Sequence, residues 1–206
     1  PQQKRLSLGV SHQAATAGEA MDAMAAGTQA VLGRLGTDGI AQVALRDVVA
    51  EVGDQTVVIS DINLDEYTTH GHVGVLGPDG DVDNDASLAR FAEVAVVQAE
   101  AGAHSVAPSG MQDGQVRHLR EALDRAGHHR VAILGYSAKY ASRVYSPFRA
   151  AGESSLTGDR KSYQQYPANT RESLREVALD LSEGADLVMV KPASHYLDIV
   201  RLLADT

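Results

Sequence analysis

The segment ADLVMVKPASHY, residues 185–196, carries four apolar residues, Leu187 to Val190, directly into Lys191 and then Pro192. A short apolar run of this kind, bounded by helical sequence, is typical of a strand buried in a parallel sheet. An ammonium group at the end of such a strand is costly to bury unless it is paired or has a use. Lys191 therefore needs an explanation.

Four more apolar runs of strand length precede this one, near residues 29, 57, 105 and 131. Helical patterns separate them and follow the last, over residues 18–27, 37–54, 85–102, 113–127, 171–184 and 193–205. Repeated strand–helix units predict an α/β protein, either a (β/α)8 TIM barrel or an open doubly wound sheet. No GxGxxG fingerprint follows a strand, which disfavours the doubly wound alternative.

A complete eight-unit barrel needs about 250 residues. We therefore expect the 206 residues to form a single domain, residues 1–206, with about five or six units visible and the barrel incomplete.

The composition narrows the class of partner. A formal net charge of −9 argues against nucleic acid or an anionic membrane as the main partner, because both would be repelled. The absence of cysteine excludes disulfides and thiolate zinc sites. No apolar run approaches the roughly 18 residues that span a bilayer, and the first ten residues do not resemble a signal peptide. We expect a soluble, cytoplasmic protein that binds a small molecule.

Polar residues collect where the predicted strands end, which is where both architectures bind ligands. They are Asp61, Ser109, Tyr136 with Lys139 just beyond it, and Lys191. The chain has 14 arginines but only four lysines, so two lysines at strand ends are conspicuous.

Two neighbouring lysines suggest amine chemistry. An ordinary lysine, with a pKa of about 10.4, is protonated at neutral pH and cannot attack a carbonyl. Burial and a second cation both favour the neutral amine, which forms Schiff bases with ketones. The alternative is that each lysine pairs with a carboxylate at the rim of the sheet.

Five separated motifs carry a resemblance to a known family. They are LDEYTTHGH (64–72), VAPSGMQDG (106–114), YSAKYASRVYSPFR (136–149), GDRKSYQQ (158–165) and EGADLVMVKPASHYLDIVR (183–201). Together they resemble the porphobilinogen synthase family, also called 5-aminolevulinate dehydratase, from about residue 38 to residue 203. The family is a (β/α)8 barrel that condenses two 5-aminolevulinate molecules to porphobilinogen, losing two waters, in tetrapyrrole (haem) biosynthesis.

The resemblance implies a role for each motif residue. Lys191 would form the Schiff base at the P site, which supplies the propionate side, and Lys139 the one at the A site, which supplies the acetate side. Asp61 would assist proton transfer, and Ser109 and Tyr136 would line the sites. The residues implied to hold the A-site substrate are Arg149, Arg160, Gln164 and Tyr145. The resemblance also implies a homo-oligomer, typically an octamer. By comparison with the family, we expect an amino-terminal arm and carboxyl-terminal strands to be missing from this sequence.

The sequence departs from zinc-dependent family members. Where those carry three cysteines, this chain has Asn63, Asp65 and Val73, so we expect no catalytic zinc. His70 and His72, two residues apart, are weak evidence for another metal, and we favour a structural or lid role for them. Some members use an allosteric magnesium ion, whose matching acid here would be Glu176; an exposed helical glutamate is the alternative.

Two other functions fit a diverged or shortened chain. One is a relative that acts on another keto acid, for which the lost cysteines and Gly110, in place of an acid, are the motive. The other is a non-catalytic paralogue that serves as an assembly partner. Retention of both lysines and Asp61 argues against the second, because a scaffold has no physical need for them.

Overall fold

A computed structural model describes residues 40–52, 55–65, 68–146, 156 and 158–205 of the chain. Its helices are α1 (Ile40–Val52), α2 (Asn84–Glu100), α3 (Gln115–Arg125), α4 (Thr170–Glu183) and α5 (Leu197–Ala204). Its strands are β1 (Ile59–Ile62), β2 (Val75–Leu76), β3 (Val82–Asp83), β4 (Ser105–Pro108), β5 (Ala132–Lys139) and β6 (Leu187–Lys191).

Four of these strands form one parallel sheet in the order β1-β4-β5-β6. All four residues of β4 are buried, as expected of a central strand covered on both faces. Because the strands are parallel, their carboxyl ends meet at one edge of the sheet. The predicted α/β class with a parallel sheet is confirmed; the helix predicted over 18–27 and the strand predicted near residue 29 lie outside the described residues.

Two predicted strands have different ends in the structure. β1 runs through Asp61 to Ile62, whereas the sequence placed Asp61 after the strand. β5 continues to Lys139, so Lys139 lies on the strand rather than just beyond it. Pairing with β6 extends β5 past its apolar run, since Lys139 is aligned with Lys191.

The final predicted helix, over 193–205, is shorter than expected. A 3-10 turn over Ala193–His195 comes first, and α5 begins only at Leu197. Tyr196, between them, has an extended φ of −136°, which interrupts the helix. Its ring stacks on Tyr140 with centroids 3.7 Å apart.

The first polar segment, residues 63–83, follows β1 and contains a hairpin that the sequence did not predict. β2 and β3 pair antiparallel, and their turn is closed by Gly77 N–H donating to Asp81 O at 2.8 Å. Two-residue strands are too short to show a period-2 pattern. The hairpin leads directly into α2, because the Asp83 carboxylate caps that helix by accepting from Ala86 N–H at 2.9 Å.

The described helices pack on the sheet through their apolar sides. At the end of α4, Gly184 adopts φ 105°, the left-handed conformation that glycine reaches without strain.

Within the described part of the chain, no helix combines the length and apolar character needed to cross a membrane.

Three apolar clusters hold the elements together. The largest joins β1, β4 and β5 to α2 and α3 and contains Ile62, Phe91, Ala95, Ala99, Val106, Val116, Leu119, Leu123 and Ile133. A second, around Leu45 and Val58, attaches α1. A third, around Ala138, Tyr140, Val177 and Ile199, attaches α4 and α5 beside the end of β5.

A chain of buried hydrogen bonds crosses the third cluster. Gln165 Nε2 donates to the carbonyl of Ser137 at 3.0 Å, so the amide oxygen Oε1 faces Ser173 and accepts its hydroxyl at 2.9 Å. Because Ser173 has a single hydroxyl hydrogen, the Tyr140 hydroxyl must donate to Ser173 Oγ. The chain therefore runs in one direction, from Tyr140 through Ser173 and Gln165 to the backbone of β5.

We expect Leu119→Ala to destabilise the protein by about 2–5 kcal/mol, because the side chain is fully buried and its removal leaves a cavity. The matched control is Leu179→Ala, also on a helix but 46% exposed, which should change stability by less than about 0.5 kcal/mol. Urea unfolding followed by circular dichroism measures both. Similar losses in the two variants would contradict the assignment of the core.

Candidate active site

The two strand-end lysines lie side by side. Lys139 and Lys191 are aligned partners on the adjacent parallel strands β5 and β6. Their Nζ atoms lie 5.5 Å and 5.2 Å from the centroid of the Tyr136 ring, and Lys191 Nζ is also 5.8 Å from that of Tyr145. Two amines and two phenol rings therefore share one end of the sheet.

Backbone and side-chain hydrogen bonds fix this end of the sheet. Lys139 Nζ donates to the Ser109 carbonyl at 2.6 Å, and Lys139 is only 5% exposed. The Lys191 carbonyl accepts both from Tyr140 N–H and from the Tyr145 hydroxyl, each at 2.9 Å. Ser109 and Tyr145 thus hold the lysine-bearing strands in place.

The Lys139 amine differs electrostatically from an ordinary lysine. Burial and then the charge of Lys191 lower its pKa to about 7; Arg160 adds to this, while Asp61 and Asp65 oppose it. At pH 7 about half of these amines are then neutral. Lys139 is thereby able to act as a nucleophile toward a carbonyl group at neutral pH.

Asp61 supplies a carboxyl group close to the amines. The Asp61 side chain lies at an exposed position on β1, yet the protein atoms around its carboxyl group desolvate it and raise its pKa. A hydrogen bond from Ser109 and the charges of both lysines lower the pKa but do not cancel this effect. A carboxyl with a raised pKa beside an amine with a lowered pKa is suited to exchanging a proton with that amine. Burial, followed by the charge of Asp61, raises the pKa of Tyr136 to about 12, so that phenol stays protonated.

A second polar segment, residues 153–169, precedes α4. Arg160 and Gln164 lie together on it, and both are at most 9% exposed. They line a cavity of about 840 Å³ with Tyr163, Gln112 and Glu176 among the other lining residues. Lys139 and Lys191 do not line this cavity, so it is a compartment beside their amines rather than the amine site itself. Arg149, the other arginine predicted to bind substrate, lies outside the described residues.

The residues at the zinc-ligand positions do not fit that metal. Val73 is fully buried and apolar. Asn63 Oδ1 accepts the Asp65 N–H at 3.0 Å, and the Asp65 carboxylate is paired with Arg160. Zinc sites in proteins use thiolate, imidazole or carboxylate ligands, usually four in number. In the described segments, no group of three or more histidine, aspartate or glutamate residues is arranged to hold a metal.

The two histidines of the first polar segment have protein partners. His72 Nδ1 is hydrogen-bonded to the Tyr163 hydroxyl at 3.0 Å, and His70 Nδ1 accepts from His72 N–H at 3.1 Å. These contacts join the first polar segment to the second, in keeping with the structural or lid role that we expect for this pair.

Glu176 lies on α4 and faces the cavity rather than open solvent. Burial, followed by Asp180, Asp113 and other carboxylates, raises its pKa to about 7. Its environment differs from that of the exposed helical glutamate considered as the alternative. A carboxylate in acidic surroundings is suited to a hard cation such as Mg²⁺, which typically uses one or two carboxylates and keeps several waters.

Packing at Gly110 leaves no room for a side chain. A Cβ atom added there would lie 2.0 Å from Gln112 Oε1 and 2.7 Å from the Phe91 ring. Phe91 belongs to the main core and has no room to move aside. A side chain at this position would therefore displace the core.

Several residues that contact the site are not predictable from the sequence. Asp65 was noted only as a lost zinc ligand, yet it pairs with Arg160 across 95 residues of sequence. Tyr140 and Gln165 flank motif residues, and their backbones bond to Lys191 and Lys139. No local pattern in the sequence predicts contacts between segments that lie so far apart in the chain.

Comparison with known proteins identifies relatives over most of the chain. A family model described as Delta-aminolevulinic acid dehydratase matches residues 21–206. A protein of that name from Streptomyces coelicolor is 64% identical over 181 residues, covering 87% of this chain and 55% of the relative. One from Mycobacterium tuberculosis H37Rv is 60% identical over 168 residues, covering 82% and 51%. This chain spans about half the length of the curated relatives that it matches.

A solved structure has a similar fold. It is the Toxoplasma gondii ME49 delta-aminolevulinic acid dehydratase in complex with the reaction product porphobilinogen, with a TM-score of 0.78 and 41% sequence identity. The match covers 82% of this chain and 48% of that one.

The electrostatics of the site predict opposite pKa shifts for Lys139 in two variants. Lys191→Met removes a cation and should raise the Lys139 pKa above about 7; Asp61→Asn removes an anion and should lower it. The pH dependence of reductive methylation by formaldehyde, quantified on the Lys139 peptide by mass spectrometry, reports the neutral amine. Methylation of Lys161, an exposed lysine on the second polar segment, is the internal control. Shifts in the same direction would contradict the assignment of charges.

Proposed function

The chain belongs to the delta-aminolevulinic acid dehydratase family, and on that premise we propose that its protein condenses two molecules of 5-aminolevulinate to porphobilinogen. The reaction releases two waters. The observation that carries the proposal is the aligned pair Lys139 and Lys191, one of them buried with a pKa of about 7.

The two amines bind substrate as Schiff bases. Lys191 attacks the ketone of the P-site substrate and Lys139 that of the A-site substrate; each forms a carbon–nitrogen double bond and releases the ketone oxygen as water. The neutral amine is the reactive form, which the burial of Lys139 provides. Asp61 donates and accepts protons during these steps, since burial raises its pKa and makes the carboxyl easier to protonate beside the amines.

The arginines and the polar cavity hold the carboxylate of the A-site substrate. A guanidinium matches a carboxylate with two parallel hydrogen bonds, so Arg160 and Arg149 are suited to this contact. Gln164 adjoins Arg160 in the cavity lining. Tyr136, Tyr145 and Ser109 surround the amines and orient the reacting ends of the substrates.

The whole protein is a (β/α)8 barrel in this proposal, with residues 1–206 contributing to a single domain. Exposed apolar residues support it. Val57 and Ile59 beside or on β1 are 61% and 38% exposed, and Leu187 on β6 is 51% exposed. These are the outer strands of the described sheet, and additional strands would cover them. A cytoplasmic homo-oligomer, octameric as is typical of the family, completes the proposal.

Catalytic zinc has no part in this proposal, because Asn63, Asp65 and Val73 do not form a zinc site. Magnesium is allosteric rather than catalytic. Glu176 would hold the ion from the cavity side with the help of water ligands, and the ion would supply only positive charge there.

Borohydride reduction in the presence of 5-aminolevulinate should attach substrate to Lys191 in the full-length protein, since reduction fixes a Schiff base as a stable amine. Peptide mass spectrometry locates the adduct. Lys191→Met should lose that adduct and at least about 10³-fold of the activity, as expected when a covalent nucleophile is removed.

Product analysis separates the proposal from its alternatives. Porphobilinogen formed from 5-aminolevulinate alone excludes another keto acid as the main substrate. A folded full-length protein without adduct or product would favour the non-catalytic paralogue and overturn the proposal.

Treatment with a zinc chelator should leave activity unchanged within about twofold, since the described zinc-position residues lack a ligand set. Removal of magnesium should lower the activity of the unaltered protein, and Glu176→Gln should abolish that response. The measurement is the steady-state rate at matched free Mg²⁺. Loss of activity that only zinc restores would contradict the prediction.

A further inference from the structure

Arg160 is a buried cation whose surroundings are only partly explained by substrate binding. It is 9% exposed, and a guanidinium at this depth is costly unless it is paired. Its partner is Asp65, whose Oδ2 accepts from Nη2 at 2.7 Å and whose side chain is 17% exposed. This ion pair joins the segment after β1 to the segment before α4.

The segment that carries Asp65 is itself braced. The single hydroxyl hydrogen of Thr68 is shared between the carbonyls of Asp65 and His72, which lie 3.3 Å and 3.2 Å from Oγ1. Gly71, in the same segment, offers its carbonyl to Arg160 Nη2 at 2.8 Å. One nitrogen of the guanidinium is thus held by two acceptors from a single braced segment.

The remaining donors of Arg160 leave room for a ligand. Nε is buried and has no hydrogen-bond partner among the residues that the structure describes, and Arg160 lines the cavity of about 840 Å³. A carboxylate can therefore approach Arg160 without displacing Asp65, because Asp65 engages the Nη2 nitrogen. The Asp65 carboxylate and the carboxylate of a ligand therefore accept from different donors of the Arg160 guanidinium.

We infer that Asp65 is a positioning residue: it holds the Arg160 guanidinium in place for the carboxylate of the A-site substrate. The inference rests on the proposed function and extends it to a residue that does not touch substrate. It also gives a use to an acid at a position where zinc-dependent relatives carry a cysteine.

The competing description is that Asp65 blocks Arg160. A blocking carboxylate must leave before substrate binds, so its removal would strengthen binding. A positioning carboxylate remains in place, so its removal weakens binding. The two descriptions predict opposite changes for the same substitution.

The test uses the full-length protein and its two lysines as separate reporters. 5-Aminolevulinate is titrated, adducts are trapped with borohydride, and the half-saturating concentration is measured at each lysine by mass spectrometry. In Asp65→Ala, we expect that concentration to rise about tenfold or more at Lys139, as for loss of a hydrogen bond to a charged group. The value at Lys191 should change by less than about twofold, since Arg160 is assigned to the other substrate.

Asp65→Asn keeps an acceptor oxygen of the same size and removes the charge, so its value at Lys139 should fall between those of the unaltered protein and Asp65→Ala. Should Asp65→Ala fail to fold, the inference requires that the half-saturating concentration at Lys139 rise at least about twofold in folded Asp65→Asn.

Glu183→Ala is the matched control. It breaks another carboxylate–guanidinium pair, with Arg117 at 2.9 Å and a Glu183 side chain only 7% exposed, and Glu183 does not line the cavity. It should lower the melting temperature without altering either half-saturating concentration.

Failure of the inference and failure of the proposed function give different results. Absence of an adduct at both lysines in the unaltered protein overturns the proposed function and this inference together. An unaltered protein that forms both adducts, with folded Asp65 variants whose half-saturating concentration at Lys139 is unchanged or lower, overturns the inference alone.

Discussion

The register between β5 and β6 is the constraint on which the site depends. It aligns Lys139 with Lys191, and the Lys191 carbonyl binds Tyr140 N–H and the Tyr145 hydroxyl. Two cations brought together in this way repel each other, and the repulsion is relieved when one loses its proton. The depth of Lys139 selects which one, because burial is the largest contribution to its lowered pKa. The alignment of β5 with β6 thus gives the amines of Lys139 and Lys191 different reactivities.

Much of this arrangement is readable from the sequence because it depends on local patterns. Apolar runs predict strands, and parallel strands bring their carboxyl ends to one edge, so the sequence alone predicts that Asp61, Ser109, Lys139 and Lys191 lie together. The extent of β5 is not predictable in this way, because its last residues are ordered by pairing with β6 rather than by their own apolar character. The ion pair between Asp65 and Arg160 is equally hidden, since its partners belong to different polar segments whose approach depends on the fold as a whole.

The relation to longer relatives explains which parts of the chain are self-sufficient. The main core, around Phe91 and Leu119, is closed on itself by α2 and α3. The outer strands β1 and β6 instead carry exposed apolar residues such as Ile59 and Leu187. The central strands of this sheet therefore have their packing partners within the described residues, while its edges are suited to further strands.

The one-way hydrogen-bond chain from Tyr140 through Ser173 to Gln165 has an evolutionary consequence. Each residue of the chain is the hydrogen-bond partner of the next, so replacing one of them alone leaves a buried donor or acceptor without a partner. Replacing all three by apolar residues of similar shape removes most of these unpaired polar groups at once. The three positions therefore constrain one another's substitution although they lie up to 33 residues apart in the chain. Among related proteins, they should covary as a set, either all polar or all apolar.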